Sequence, residues 1–144
     1  MKVSNHPGNP PVERLVIHTD GASRGNPGPA AIGATIKDEQ GKPIASISRL
    51  IGKTTNNQAE YRAVIAALER VLKLGARQVQ IYSDSQLVVR QINGQYRVKK
   101  ASLKPLHQKV KQLTSRLNEF TIKHIARQQN SEADKLAKRA LRRV

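Results

Sequence analysis

Alternation of inward-facing and outward-facing positions in the first third of the chain predicts three β-strands. In the stretch RLVIHTD, Leu15, Ile17 and Thr19 fall on the same side of an extended backbone, which is the periodicity of a strand. A turn at residues 38–41 closes the second of them. The predicted strands cover residues 14–20, 30–37 and 44–50. Because the connections are short, we expect the three strands to form an antiparallel meander.

Apolar residues that recur at intervals of three and four predict the helices. The clearest helix covers residues 57–74, where Tyr61, Val64 and Leu68 share one face and Gly75 ends it. The other predicted elements are a strand at 78–82, helices at 84–92 and 102–117, a strand at 120–125 and a helix from 130 onward. This order indicates an α/β domain with a mixed sheet and helices packed on its faces.

The length and composition indicate one domain. The chain has 144 residues, which is within the usual domain size. Residues 1–12, rich in Pro, Gly and Asn, are predicted to form a disordered leader, and residues 13–144 the folded domain. The sequence contains neither cysteine nor a segment apolar enough for a signal peptide or a membrane span. We therefore expect a cytoplasmic protein without membrane association, and a monomer because no apolar seam is evident.

The net charge of +16 indicates a polyanionic partner, for which nucleic acid is the commonest candidate. Between residues 85 and 118 there is no acidic residue, whereas basic residues accumulate. This basic segment consists of Arg90, Arg97, Lys99, Lys100, Lys104, Lys109, Lys111 and Arg116. A solvated helix face is the ordinary explanation, but glutamates that would pair with these bases at helical spacing are missing. We interpret the basic segment as a surface that follows phosphates; a membrane surface is less suitable because no bulky apolar face accompanies it.

Four of the ten acidic residues lie at positions where a carboxylate is unusual. Asp20 ends the first predicted strand, before a stretch rich in Gly and Pro, and Asp84 follows the apolar strand VQIYS. Glu60 lies in the first turn of its helix and shares the apolar stripe, where a lone charge is costly to desolvate. Asp134, in the first turn of the last helix, borders a similar stripe.

Each of these acids also has an explanation in local structure alone. Asp84 can be a helix N-cap, and Asp20 can belong to a turn. Residues 57–60 and 131–134 both resemble capping boxes. Taken together, however, the four acids stand at ends of elements that a mixed sheet can bring to one edge.

A cluster of four carboxylates would need a cation. Each pair repels by about 1 kcal/mol at ~4 Å in water, and several times more beside a low-dielectric wall. All-oxygen ligands favour Mg²⁺ or Mn²⁺. Two such ions roughly 3.5–4 Å apart can stabilise both the attacking and the leaving oxygen of a phosphodiester hydrolysis. An acidic pocket on a basic protein thus fits a surface that holds a polyanion around a centre neutralised by metal ions.

Four blocks of the sequence resemble type 1 ribonuclease H in that family's order and spacing. They are TDGASRGNPGPAAIGA (19–34), TTNNQAEYRAVIAAL (54–68), YSDSQLVVRQING (82–94) and ARQQNSEADKLA (126–137). The resemblance extends over residues 14–141. It implies the ribonuclease H fold, a five-stranded mixed sheet with its first three strands antiparallel and helices on both faces. It also implies cleavage of the RNA strand of RNA/DNA hybrids with two divalent metal ions, which leaves 5′-phosphate and 3′-hydroxyl ends.

The resemblance assigns residues to the site as well. The family's metal-binding acids fall on Asp20, Glu60, Asp84 and Asp134. Polar side chains and free N–H groups in the Gly/Pro stretch and at two helix starts are expected to bind phosphates and the 2′-hydroxyls of RNA. These expected contacts are Gly21, Ser23, Arg24, Gly25, Asn26, Thr55, Asn57, Gln58 and Gln86. For Ser23 and Thr55, turn or cap chemistry is an equally good explanation.

Two features depart from the family pattern. Many bacterial members carry an extra basic helix with tryptophans, whereas this chain has no tryptophan and passes directly from QYRVKK to SLKPL. Binding of a hybrid is therefore expected from residues 97–111 of the basic segment and from the C-terminal basic residues, helped by Tyr96. The family often has a mobile histidine near the last acid, for proton transfer or product release. His124 corresponds to that position but also fits a packed strand residue, and Arg127 is the alternative.

Two other functions remain open at this stage. The first is a basic nucleic-acid-binding module without catalysis, against which the four acids argue. The second is a nuclease for another substrate, either double-stranded RNA or DNA in a transposition-type reaction. The expected 2′-hydroxyl contacts Asn57 and Gln58 favour an RNA strand.

Overall fold

A five-stranded sheet forms the centre of the structure, a computed structural model that describes residues 14–143. The strands are β1 (Leu15–Ser23), β2 (Gly28–Lys37), β3 (Pro43–Thr54), β4 (Gln78–Ser83) and β5 (Glu119–His124). They lie in the order β3-β2-β1-β4-β5. Strands β1, β2 and β3 pair antiparallel, while β4 pairs parallel with both β1 and β5. The mixed sheet with an antiparallel meander at its start is confirmed; the predicted leader at 1–12 lies outside the described residues.

Residues 14–143 also form four helices, of which the first, second and fourth contact strands of the sheet and the third packs mainly on the first. They are α1 (Asn56–Lys73), α2 (Gln86–Ile92), α3 (Lys104–Thr114) and α4 (Ser131–Leu141), and a 3₁₀ turn, Arg127–Asn130, precedes α4. Within the described part of the chain, residues 94–103 between α2 and α3 form no helix. This agrees with the expectation, from the direct passage of QYRVKK to SLKPL, that no basic helix is inserted at this place.

Two glycines place α1 and α4 on opposite faces of the sheet. A Cβ added to Gly21 would lie 2.3 Å from the main chain of Ala59 in α1, and one added to Gly33 would lie 2.3 Å from the main chain of Ala133 in α4. Gly33 pairs with Asp20, the neighbour of Gly21 along β1. Since successive strand residues point to opposite faces, the two helices lie on the two sides of the same pair of strands.

The main hydrophobic core lies on the α1 side of the sheet. Its largest fully buried side chains are Tyr61, Ile17, Ile32, Ile36, Leu68 and Ile81. A smaller cluster of Ala31, Ala140 and Leu141 packs α4 against the other face of the sheet. Burying a large aliphatic side chain stabilises the fold by roughly 1.5–3 kcal/mol, so apolar packing holds both acid-bearing helices in place.

Some predicted boundaries are wrong, and two of them concern the candidate acids. Strand β1 continues beyond Asp20, because its pairing with β2 extends to Ser23 opposite Ala30. Asp20 therefore lies within a strand and not at its end. Glu60 is the fifth residue of α1, and the first turn of that helix holds no acid. Helix α3 is shorter than the predicted 102–117.

Among residues 14–143, none of the helices has both the length and the apolar character needed to cross a bilayer.

Candidate active site

The candidate acids converge at the point where β4 separates from β1. Parallel pairing between these strands ends at Thr19 and Ser83, while β1 continues and Asp84 follows β4. Two main-chain groups flank Asp20 there. The carbonyl of Thr19 accepts a hydrogen bond from the side chain of Asn130, and the N–H of Gly21 donates one to the side chain of Glu60, where a neighbouring strand would otherwise be the partner. Buried main-chain groups need such partners, and at this edge the partners come from the acid-bearing elements.

Glu60 reaches this edge from α1. The Gly21 N–H donates a hydrogen bond of 3.0 Å to Oε1 of Glu60, and α1 can lie this close because Gly21 has no side chain. The carboxylate is buried, with 5% of the residue exposed. The capping box of α1 consists of Thr55 and Gln58, so the alternative of a box at 57–60 is wrong and Glu60 is not a cap.

Asp84 lies between β4 and α2 and does not cap the helix. Ser85 is the N-cap of α2, and its Oγ accepts a hydrogen bond of 3.3 Å from the N–H of Val88. Oδ2 of Asp84 accepts a hydrogen bond of 3.1 Å from Nδ2 of Asn130, which precedes α4. The N-cap explanation of Asp84 is therefore wrong.

Asp134 comes from the first turn of α4. Its side chain lines the same cavity as Asp20, and its Oδ2 lies 3.1 Å from Nζ of Lys138, one turn further along. No side chain caps the start of α4, so the alternative of a capping box at 131–134 is wrong.

The four acids line one cavity of about 500 Å³. Carboxylate oxygens of Asp20, Glu60 and Asp84 all lie within 4.8 Å of one another. The other lining residues are Gly21, Ala22, Ser23, Asn56, Ser85, Arg127, Lys138 and Leu141. The structure thus brings together four carboxylates that are separated by up to 114 positions in the sequence, from 20 to 134.

Burial and mutual repulsion make this cluster unfavourable without a counter-charge. Burial, followed by the charge of Asp84 and by the hydrogen bond and charge of Asp134, raises the pKa of Asp20 to about 8. Burial, then the charges of Asp20 and Asp84, raise the pKa of Glu60 well above its usual value. The Gly21 N–H and Arg127 oppose the shift at Glu60, and Arg127 opposes it at Asp20. The proximity of these carboxylates therefore costs free energy that a divalent cation would offset.

The donor set fits a hard divalent cation. Carboxylate oxygens are the ligands that Mg²⁺ and Mn²⁺ prefer, and a partly open cavity leaves room for the waters that such ions retain. Within the described residues the three mutually close acids Asp20, Glu60 and Asp84 are the group with this geometry. These three acids would provide ligands for the ion, and Asp134 would lie in the same cavity.

The Gly/Pro stretch forms the turn between β1 and β2, and backbone geometry explains its glycines. Gly25 has a φ of 94°, in the region that favours glycine. A Cβ on Gly28 would lie 1.7 Å from the carbonyl oxygen of Arg24. Ser23 lines the cavity and donates from Oγ to the carbonyl of Gly25 at 2.6 Å, whereas Arg24 and Gly25 are exposed and do not line it.

Three other expected substrate contacts take part in the start of α1. Oδ1 of Asn26 accepts a hydrogen bond of 2.9 Å from the N–H of Asn56. Oγ1 of Thr55 accepts from the N–H of Gln58 at 3.2 Å, and Oε1 of Gln58 accepts from the N–H of Thr55 at 3.1 Å. Oε1 of Gln58 also bonds to the hydroxyls of Thr54 and Thr55. These side chains therefore cap the start of α1, and the substrate contacts expected of them would be additional to this role.

The auxiliary residues differ in their position relative to the cavity. His124 is the exposed last residue of β5, paired with Ser83, and does not line the cavity, whereas Arg127 does. Asn57 and Gln86, in the first turns of α1 and α2, are also outside the lining.

Reasoning from the sequence missed three polar residues of the lining: Asn56, Ser85 and Lys138. Asn56 directly precedes the expected Asn57, so an error of one residue in the helix start accounts for it. Lys138 lies four residues after Asp134, a spacing that predicts an ion pair on a helix.

Similarity to known proteins covers most of the chain. Residues 18–140 match the family described as reverse transcriptase-like. The crystal structure of ribonuclease H1 from the halophilic archaeon Halobacterium salinarum superposes with a TM-score of 0.89 at 39% identity, over 91% of this chain and 99% of that one. LC11-RNase H1, isolated from compost by a metagenomic approach and crystallised with an RNA/DNA hybrid, gives a TM-score of 0.85 at 40% identity, over 90% and 97%.

A third relative is the bifunctional protein Rv2228c of Mycobacterium tuberculosis, which is 40% identical over 129 residues. The match covers 89% of this chain but only 35% of that protein, so this chain spans about a third of its length. With the fold, the arrangement of the acids and two ribonuclease H structures matched along nearly their whole length, the chain belongs to the type 1 ribonuclease H family.

Proposed function

We propose that this protein is an endonuclease that hydrolyses the RNA strand of RNA/DNA hybrids, using two divalent metal ions, Mg²⁺ or Mn²⁺, and leaving 5′-phosphate and 3′-hydroxyl ends. The observation that carries the proposal is the gathering of Asp20, Glu60 and Asp84 within 4.8 Å, with Asp134 in the same cavity. The hybrid bound to the related LC11 enzyme supports the choice of substrate.

The four acids would hold the ions, and each is positioned by a different element. Asp20 is fixed in the middle of β1, Glu60 by the Gly21 N–H, Asp84 by Asn130 and Asp134 by α4. When bound, two divalent ions supply charge neutralisation, activation of water and stabilisation of the leaving oxygen. The protein contributes a partly buried set of acids, each held by its own element.

Residues at the mouth of the cavity are proposed to contact the RNA strand. Ser23 and Asn56 line it, and Asn57 follows in the first turn of α1. Polar groups of this kind can bind phosphates, and they can bind 2′-hydroxyls. The 2′-hydroxyl is the group that distinguishes RNA from DNA. Gly21, Arg24, Gly25, Asn26, Thr55, Gln58 and Gln86 remain further candidates for contacts around the cavity. Double-stranded RNA, which also presents 2′-hydroxyls, is the second substrate to test.

Arg127 is the better candidate for the auxiliary role in proton transfer or product release. It lines the cavity, and its charge acts on both Asp20 and Glu60, whereas His124 is exposed at the end of β5. A guanidinium can hold a phosphate through two hydrogen bonds. We expect Arg127→Ala to reduce turnover more than His124→Ala does, as measured by multiple-turnover cleavage of a labelled hybrid.

The decisive experiment replaces one acid and separates binding from cleavage. In the Asp20→Asn variant we expect hybrid cleavage with Mg²⁺ or Mn²⁺ to be lost while hybrid binding, measured by gel shift, persists. The matched control is Glu69→Gln, which removes an exposed acid from the same protein on the solvent side of α1 and should cut normally.

Two outcomes would contradict the proposal. Cleavage by Asp20→Asn at the wild-type rate would exclude the proposed mechanism. A wild-type protein that binds hybrids but cuts none with either metal would instead favour a non-catalytic binding module. A panel of RNA/DNA hybrid, double-stranded RNA and double-stranded DNA determines the substrate class.

A further inference from the structure

Asn130 connects three of the four acid-bearing segments. It lies at the end of the 3₁₀ turn, directly before α4, and is 1% exposed. Its Nδ2 donates to the carbonyl of Thr19 at 2.9 Å and to Oδ2 of Asp84 at 3.1 Å. One amide group therefore bridges the residue before Asp20, the carboxylate of Asp84 and the start of the helix that carries Asp134.

The two acceptors determine the orientation of this amide. A main-chain carbonyl has no proton to donate, and a carboxylate oxygen at this distance from Nδ2 acts as an acceptor. Turning the amide over would place Oδ1 against both oxygens and remove both hydrogen bonds. The side chain is thus held in a single orientation, and it restrains Asp84 in turn.

Helix capping does not explain the residue. Asparagine is favoured at the N-cap because its side chain accepts hydrogen bonds from the first turn. Asn130 occupies the N-cap of α4, yet its side chain makes no capping hydrogen bond. The amide donates towards the acid cluster instead, and its Oδ1 accepts no hydrogen bond from any of the described residues.

We propose that Asn130 is a positioning residue of the active site: it holds the carboxylate of Asp84 and the start of α4 against β1, so that the acids are in place before an ion binds. Groups that orient metal-binding side chains in this way typically change metal affinity or activity by about 10–100-fold when they are replaced. The inference rests on the proposed function insofar as it assigns the acids to metal binding.

The test compares two buried amides. Gln91 is the matched control, because it is 5% exposed and its Oε1 accepts a hydrogen bond of 2.7 Å from the hydroxyl of Tyr61; within residues 14–143 it forms no hydrogen bond with an acid. Asn130→Ala and Gln91→Ala are each measured by thermal unfolding, by calorimetric titration with Mn²⁺ and by cleavage of a labelled hybrid. Asn130→Leu, which keeps the approximate volume, is the second variant in case the alanine variant does not fold.

We expect both alanine variants to lower Tm, because each removes a buried hydrogen bond. Only Asn130→Ala should also weaken Mn²⁺ binding, by about 10–100-fold, and lower kcat by a comparable factor while KM for the hybrid changes less than about twofold. Gln91→Ala should retain wild-type metal affinity and kcat.

The possible failures are distinguishable. Unchanged Mn²⁺ affinity and kcat in Asn130→Ala, with the same loss of Tm as Gln91→Ala, would overturn the proposal and leave Asn130 a structural residue. If the wild type binds Mn²⁺ but cuts no hybrid, the proposed function fails, and the affinities of the two variants still decide the role of Asn130. A wild type that binds no Mn²⁺ overturns both.

Discussion

At the scale of single residues, two glycines position the site, because neither position has room for the Cβ of a larger residue. Gly21 faces the main chain of α1, and Gly33 faces that of α4. The two helices are thereby brought directly onto β1 and β2, and they carry Glu60 and Asp134. The sequence shows these glycines, but their partners lie 38 and 100 positions away, from 21 to 59 and from 33 to 133, so local patterns could not predict their purpose.

Replacement of Gly21 should impair both folding and activity. The added Cβ of Gly21→Ala would lie 2.3 Å from Ala59, so α1 must move. We expect a loss of about 1–3 kcal/mol in the free energy of unfolding, and a fall in cleavage rate of about 100-fold, since a shift of about 1 Å in a positioned group can cost that much. Denaturant unfolding and cleavage assays measure the two effects.

The control for this variant is Gly41→Asn. Gly41 has a φ of 85° in the turn between β2 and β3, and an added Cβ would have no atom within 4 Å apart from its chain neighbours; asparagine tolerates this conformation. Normal activity in Gly21→Ala would show that α1 can shift without displacing Glu60.

The raised pKa of Asp20 predicts how the stability of the metal-free protein depends on pH. In the folded state the pKa is about 8, against an ordinary value of 3.8. The folded state therefore binds more protons between these values, and the contribution of Asp20 to stability falls as pH rises from 4 to 8. Asp20→Asn removes this penalty, so the variant should gain stability relative to wild type as pH rises, by at least about 1 kcal/mol, given that one pKa unit corresponds to about 1.4 kcal/mol.

Denaturant unfolding in a chelator at several pH values measures this difference. Glu69→Gln should follow the wild type, and Mn²⁺ should stabilise wild type more than Asp20→Asn because it binds the folded state through the acid set. A difference between Asp20→Asn and wild type that stays constant from pH 4 to 8 would contradict the assignment.

At the scale of elements, the start of α1 shows where reasoning from the sequence succeeded and where it did not. Periodicity predicted the helix, but local signals placed its cap near 57–60, whereas Thr55 is the N-cap and Gln58 completes the box. The same limitation affected β1, because the glycines after Asp20 favour a loop, yet pairing with β2 continues to Ser23. Element boundaries depend on tertiary partners, which a local pattern does not contain.

Thr55→Ala tests the capping role against the expected role in substrate binding. Loss of an N-cap hydroxyl costs about 0.5–2 kcal/mol, and we expect the free energy of unfolding to fall by that amount. KM for the hybrid should stay close to wild type if the hydroxyl serves only the cap. Thr55→Ser, which keeps the hydroxyl, should restore stability; a strong rise in KM for Thr55→Ala under conditions where it is fully folded would show substrate contact.

At the scale of the whole molecule, an acidic candidate site lies in a strongly basic protein. The chain carries a net charge of +16, yet four of its ten acids line a single cavity. Composition predicted a polyanionic partner, and the positions of the four acids along the predicted elements, together with the resemblance, predicted the acid cluster. Neither could predict that Asn130 and Lys138 contact these acids, since those contacts arise only when α4 packs on the sheet.

Binding of a hybrid should depend steeply on salt, because neutralised phosphates release counterions. Lys109 and Lys111 are exposed on α3, and replacing both with Ala should reduce the slope of log affinity against log salt by about 2, roughly one unit for each phosphate that is no longer neutralised. Titrations at several salt concentrations measure the slope.

The matched control replaces two exposed lysines that lie outside the basic segment and do not line the cavity. Lys42 lies in the turn between β2 and β3, and Lys73 is the last residue of α1. Their joint replacement should leave the slope unchanged. If both double variants alter the slope equally, the basic segment has no special role.

The dependence of the site on α4 has a consequence for the protein during its synthesis. Asp20, Glu60 and Asp84 are translated well before Asp134, and α4 ends only at Leu141. A nascent chain therefore holds Asp20, Glu60 and Asp84 without Asp134, without Asn130 and without the helix that covers Gly33. Nascent chains stalled on the ribosome before α4 emerges should have no nuclease activity, so that cleavage begins only after the polypeptide has been completed through this helix.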